Sequence, residues 1–158
     1  MDMSVSRAEF KRPYSHVVHQ LRSVRLRPTR QRLALAKLLF DAEDTRHVSA
    51  EALHAEALEA GIQVSLATVY NTLHQFVEVG LLNEVVIDSN RTYFDTNTET
   101  HHHFYEKTSG LLEDIPANQV KIDLDASPPP CMMIVSVDVV FRLEPMKANG
   151  QDRAVNDN

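Results

Sequence analysis

Residues 65–80, SLATVYNTLHQFVEVG, constrain this chain more than any other stretch. Leu66, Val69, Leu73, Phe76 and Val77 follow the rhythm of a helix that buries one face. Ser65 suits the N-cap and Gly80 the position just past the end. The opposite side carries Ala67, Thr68, Asn71 and Gln75, with Tyr70 on the flank. A merely solvated face usually carries Lys and Glu. Methyl, hydroxyl and amide groups are instead the ones that read base edges in the major groove of DNA.

The neighbouring stretches give this helix a setting. YSHVVHQLRSV (14–24) reads as a first helix. PTRQRLALAKLLFDAED follows, with Thr29 as cap and Leu35, Leu38, Leu39 and Ala42 as its apolar stripe. HVSAEALHAEALEAG is a third helix, with Ser49 as cap, Glu51 in the first turn and Gly61 past the end. Only Gly61-Ile62-Gln63-Val64 separates the third helix from the fourth. That is helix-turn-helix spacing, with the later helix as reader. Two β-prone runs, 82–88 and 91–95, then flank Ser89-Asn90 and predict a hairpin. Helices followed by a hairpin make a winged helix, and Arg91 in the wing is placed for a phosphate. The blander alternative is a generic small helical domain.

The second half changes character. Residues 110–116 and 131–143 read as strands. In the latter, Val135, Val137, Val139 and Phe141 alternate with Ser136, Asp138, Val140 and Arg142. Val140 makes both sides partly apolar, as in a strand covered on two faces. Residues 117–125 suit a loop or one helical turn. About fifty residues are too few for a solitary core, so a second copy is expected to complete this domain. The fold class is α+β: a winged helix-turn-helix domain over 1–95, a small α/β dimerisation and sensing domain over 96–145, and a disordered tail over 146–158.

Composition narrows the setting. No apolar run reaches the length of a membrane span, and the N-terminus lacks the apolar core of a secretory signal, which points to the cytoplasm. Cys131 is the only cysteine, so no internal disulfide can form; it is read as a buried or inert thiol. The net charge of -6 argues against nucleic acid, but the distribution reverses that argument. Residues 7–37 hold Arg7, Lys11, Arg12, Arg22, Arg25, Arg27, Arg30, Arg32 and Lys37 against Glu9 alone, while residues 84–158 are net acidic. A polarised chain can put its basic end on phosphates. A solvated charged face would show the same bias.

The row His101-His102-His103 is the second strong feature. On an extended segment His101 and His103 share one side and His102 takes the other. Two imidazoles alone hold a metal weakly. Asp95 lies at the end of the hairpin, Asp114 or Glu113 on the next strand, and His47 before the third helix. His, His, Asp and His, with an optional second carboxylate, suit Fe²⁺, Mn²⁺ or Zn²⁺. Partner cysteines are missing, which excludes a thiolate-rich zinc site. A histidine row can also be a pH sensor or a surface feature. His16 and His19 read as solvent-exposed, His54 and His74 as structural. A metal-dependent hydrolase is the competing class, yet the chain lacks a glycine-rich phosphate loop, a nucleophile elbow and an H-E-x-x-H helix. An enzyme is not expected.

The segments ATVYNTLHQFVEVGLLNE (67–84), HVSAEALH (47–54) and LRPTRQR (26–32) resemble the ferric uptake regulator family, and THHHFYEKTSGLLEDIP resembles its iron response regulator branch. The resemblance runs from about residue 20 to 143. It implies a winged-helix regulator that binds palindromic double-stranded DNA operators as a homodimer and responds to metal or haem. Its regulatory metal ligands match His47, Asp95, His101 and His103, and the further acid of peroxide-sensing relatives falls on Asp114. Its base-contacting tyrosine matches Tyr70, its minor-groove basic residue Arg27 and a phosphate-contacting arginine Arg32. Arg22 and Arg25 are expected to add backbone contacts, and Ala67, Thr68 and Asn71 to face bases.

The departures are informative. Glu106 and Ser109 stand where many members have the C-x-x-C of a structural zinc, so a structural zinc held by four cysteines is not expected. Thr100, Lys121 and His102 break a further metal site of the family. The resemblance to this haem-responsive branch makes His101, His102 and His103 candidate haem ligands, although the N-terminal Cys-Pro motif that some members add is missing. By the branch, haem would release DNA; in the commoner family member, metal promotes binding. A peroxide-, manganese- or zinc-sensing repressor of the same fold is the alternative.

Overall fold

The computed structural model describes residues 14–42 and 44–146. Arg7, Lys11, Arg12 and the expected tail past Met146 lie outside the described residues. The chain divides into two compact units, parting between Glu99 and Thr100.

The first unit holds α1 (Ser15–Ser23), α2 (Arg30–Phe40), β1 (His47–Val48), α3 (Ala50–Glu59), α4 (Leu66–Glu78), β2 (Asn83–Asp88) and β3 (Arg91–Asp95). Three of the four helices start on a hydroxyl cap. Thr29 accepts from the Arg32 N–H, Ser49 from Ala52 and Ser65 from Thr68, at 3.3, 3.1 and 3.1 Å. Each cap satisfies a donor that the helix leaves open, worth about 1 kcal/mol. Gly61 and Gly80 end α3 and α4 at φ of +72° and +74°, the left-handed conformation that only glycine adopts without a Cβ clash.

Val17, Leu21, Leu35, Leu39, Leu53, Val69, Leu73, Phe76 and Phe94 form the core of this unit. The predicted buried face of α4 is seen, with Thr72 added to it. Ala42, expected in the stripe of α2, is exposed because that helix stops at Phe40; Ala36 is buried instead. The hairpin pairs β2 with β3, and β1 adds to the other edge of β3 in the order β1-β3-β2. The two-residue β1 is too short to show any periodicity, so the sequence pattern misses it. It sets His47 directly opposite Asp95.

The second unit is a small sheet of order β5-β4-β6, built from β4 (His101–Glu106), β5 (Leu112–Pro116) and β6 (Val140–Leu143). β4 runs antiparallel to β5 and parallel to β6. A single 3-10 turn covers Ala117–Gln119. The strand expected over 131–143 is shorter than its alternation suggests. Only its last four residues find an edge of β4, and Met132, Met133 and Val135 stand exposed. Alternation records which side chains want cover, whereas a strand also needs a partner for its backbone. Cys131 is exposed at a turn with φ of +63°, which corrects its reading as a buried thiol. No helix among the described residues is long and apolar enough to cross a membrane.

Candidate metal centre and nucleic-acid interface

In the second unit the alternation of β4 decides which histidines could share a metal ion. His101 and His103 point to one face, and the register sets Asp114 of β5 opposite His103. The Nε2 atoms of His101 and His103 face each other at 2.9 Å, with their rings near perpendicular at 67°. Asp114 Oδ1 stands 3.5 Å from His101 Nε2 and 3.8 Å from His103 Nε2. Two atoms each about 2.1 Å from one ion stand roughly 3.0–3.4 Å apart at angles of 90–109°. The three ligand atoms therefore have nearly the spacing that one divalent cation requires. Both imidazoles are buried, His101 to 8% and His103 to 5% exposure, and Asp114 supplies the negative charge. Glu113 pairs with Phe104 across the strands and so belongs to the other face. Of the two acids that spacing left open, Asp114 is the one beside the histidine pair.

His102 occupies that other face and is also buried, at 4% exposure. Its Nδ1 makes no hydrogen bond among the described residues. The three histidines thus do not converge on one point.

In the first unit the β1–β3 register brings a second pair together. His47 Nε2 lies 3.2 Å from Asp95 Oδ2, and Asp95 is wholly buried. The other carboxylate oxygen of Asp95 accepts from the Asn97 N–H at 2.8 Å. A carboxylate removed from water needs such partners.

Glu106 and Ser109, expected in place of a zinc-binding C-x-x-C, take part in a turn. The Glu106 carboxylate accepts from the Thr108 and Ser109 N–H groups, both at 2.8 Å, and closes the turn after β4. A hydrogen bond from the Ser109 side chain, followed by these two backbone bonds, lowers the Glu106 pKa from the usual 4.5 to about 2.

The candidate reading surface lies on α4. Ala67 and Asn71 are exposed, and Thr68 is half-buried with its hydroxyl 2.9 Å from that of Ser65. Tyr70 donates its phenol proton to Glu51 Oε1 of α3 at 2.6 Å, and its ring stacks on His74 with centroids 6.3 Å apart. Arg22, Arg25 and Arg27 are exposed. Arg32 is half-buried, and its guanidinium is committed within the unit. It donates to Gln75 Oε1 through Nε at 3.0 Å and Nη2 at 2.7 Å, and to the Arg27 carbonyl at 2.9 Å. Gln75 therefore spends its amide oxygen on a brace between α2 and α4. Arg91 lies in the wing with Asp88 3.9 Å away.

Residues 23–126 match the model of the ferric uptake regulator family. The chain belongs to this family. The ferric uptake regulator family is one of transcription regulators, not enzymes. The ferric uptake regulation protein of Haemophilus ducreyi is 40% identical over 83 residues, covering 52% of this chain and 56% of that protein. That of Bordetella parapertussis is 32% identical over 112 residues, covering 67% and 80%. The chain thus spans little more than half the length of several such relatives. Among solved structures, the ferric uptake regulator of Pseudomonas aeruginosa with manganese superposes with a TM-score of 0.62 at 26% identity, covering 82% of this chain and 97% of that one. The Vibrio cholerae regulator, at 18% identity, a TM-score of 0.63 and coverage of 82% and 99%, shows the shared fold.

Proposed function

We propose that this chain is a metal-responsive transcriptional regulator that binds a palindromic operator duplex as a homodimer in the cytoplasm. The observation that carries the sensing half is the facing pair His101 Nε2 and His103 Nε2 at 2.9 Å with Asp114 beside them. The donor set, imidazole and carboxylate without thiolate, suits Fe²⁺, Mn²⁺ or Zn²⁺. His47 and Asp95 are proposed as further metal ligands; the resemblance to the family's ligand set supports this. The similar Pseudomonas aeruginosa protein with manganese supports a divalent cation as effector. On the DNA side, Arg22, Arg25, Arg27 and Arg32 supply backbone and minor-groove contacts, and Ala67, Thr68, Tyr70 and Asn71 face bases.

The test is metal analysis combined with selection from a random duplex library, with and without added Mn²⁺. The purified parent is expected to retain about one ion per chain at the site, and Mn²⁺ to change which duplexes it enriches. His101→Ala with His103→Ala should lose both the ion and the Mn²⁺ dependence. Retention of both by the double variant would rule the site out.

A second reading, control by iron through haem, is favoured by His102. Its buried Nδ1, without a hydrogen-bond partner among the described residues, sits on the face opposite His101 and His103 and leaves a nitrogen for another ligand. In that reading haem titration gives a histidine-ligated Soret band that His102→Ala removes and His101→Ala leaves in place.

A further inference from the structure

The phenol of Tyr70 reaches the groove between α3, α4 and the wing with its proton already committed. Its hydroxyl donates to Glu51 Oε1 at 2.6 Å, within the range of short charge-assisted O–H···O⁻ bonds. The bond raises the pKa of Tyr70 and lowers that of Glu51. At neutral pH the proton thus stays on the phenol and points at the carboxylate. The ring is held too, stacked at 20° on His74, which packs edge-on against Phe94. Ser49, Glu51, Tyr70, His74, Arg91 and Tyr93 line this one groove.

A phenol has one proton to give. With it spent on Glu51, the Tyr70 oxygen can only accept from a third group, and the rest of the side chain is apolar. In the major groove cytosine offers an N4 amino donor, adenine an N6 amino donor beside its N7 acceptor, and thymine a C5 methyl beside its O4 acceptor, so each of the three gives the phenol a donor or an apolar surface to meet. Guanine offers two acceptors, N7 and O6. An acceptor facing acceptors leaves both unpaired and is penalised.

Resting on the operator-binding reading above, we infer that Glu51 is a specificity-determining residue. By holding the Tyr70 proton it fixes the reading tyrosine as an acceptor toward DNA, so that the base it meets is adenine, cytosine or thymine and guanine is rejected. Glu51 itself need touch no base. It acts on sequence choice through the direction of one O–H bond.

The test is selection from a random duplex library by the full chain with added Mn²⁺, comparing the parent with Tyr70→Phe, Glu51→Ala, Glu51→Asp and Glu51→Gln. Tyr70→Phe identifies the base pair that the phenol reads. At that pair Glu51→Ala is expected to admit guanine, with discrimination falling about tenfold, the size of one hydrogen bond of ordinary strength. Glu51→Asp keeps the charge in the first turn of α3 but falls a methylene short, and should relax the same pair. Glu51→Gln still offers an acceptor oxygen and should keep the parent's choice. Unchanged rejection of guanine in folded Glu51→Ala or Glu51→Asp overturns the inference. So does a change at a pair that Tyr70→Phe leaves alone, or a Tyr70→Phe selection identical to the parent's. A parent that enriches its operator while these variants fail to shift it sinks this inference only. A parent that enriches no sequence sinks the operator reading and the inference together.

Discussion

Arg32 shows how a single side chain can carry two roles that a sequence cannot separate. The resemblance makes it a phosphate contact, and the structure spends three of its donors on Gln75 and the Arg27 carbonyl. Hydrogen bonds from a half-buried guanidinium contribute about 1–2 kcal/mol, so Arg32→Ala should destabilise the first unit by that amount in urea unfolding. A double-mutant cycle with Gln75→Ala should recover a coupling of about 1 kcal/mol. Arg32→Lys separates the roles. It keeps a charge for phosphate and loses the planar fork, so most of the stability loss should remain while duplex affinity at low salt is largely kept. Strict additivity in the cycle would mean that the brace holds nothing. Gln75 was legible as a polar position on α4, but not as the partner of a residue 43 positions away. The same holds for Glu51, which sequence explains fully as a first-turn carboxylate favoured by the helix dipole, although it meets Tyr70 19 residues on.

At the level of elements, what was legible is what local chemistry decides. Thr29, Ser49 and Ser65 each cap a helix within a turn of their own position, so α2, α3 and α4 could be placed from hydroxyls and apolar spacing alone. β1 could not, because its two residues exist as a strand only through β3, far along the chain. Nor could register, which sets Asp114 rather than Glu113 opposite His103. The β4–β5 turn gives a prediction with a definite pH window. The folded pKa of Glu106 is depressed from 4.5 to about 2, so its contribution is complete above 4.5 and is lost as pH falls toward 2. Glu106→Gln removes the charged acceptor at any pH. Hydrogen exchange at Thr108 and Ser109 should therefore be faster in the variant than in the parent at pH 7. The two should converge as the pH falls from 4.5 toward 2. Equal protection of those amides at pH 7 would show that the carboxylate does not hold the turn.

For the whole molecule the question is what covers the second unit. Met132, Met133, Ile134 and Val135 stand exposed in succession and Val137 follows, with Val135 at 85% exposure; Phe104 and Phe141, in ring contact 5.7 Å apart, are also exposed in the same unit. Soluble chains seldom leave so continuous an apolar run in water, and such runs mark interfaces. The valine alternation read from sequence fits the same explanation: it describes a segment that wants cover which one copy does not provide. We propose that the homodimer invoked for operator binding covers it. Val135→Asp places a charge in the middle of this run but removes no packing within one chain, so the helical signal of the first unit should persist unchanged. Sedimentation should then report a shift from dimer to monomer of at least tenfold in dissociation constant, since burying an uncompensated carboxylate costs more than about 1.4 kcal/mol. A palindromic site offers two half-sites, and a monomer can fill only one at a time. The variant should accordingly lose the paired half-site spacing from its selected duplexes while still preferring the same base pairs within each half. Loss of the spacing together with loss of the half-site preference would mean that the first unit does not read DNA on its own. An unchanged mass would mean that the exposed run serves some contact other than the dimer.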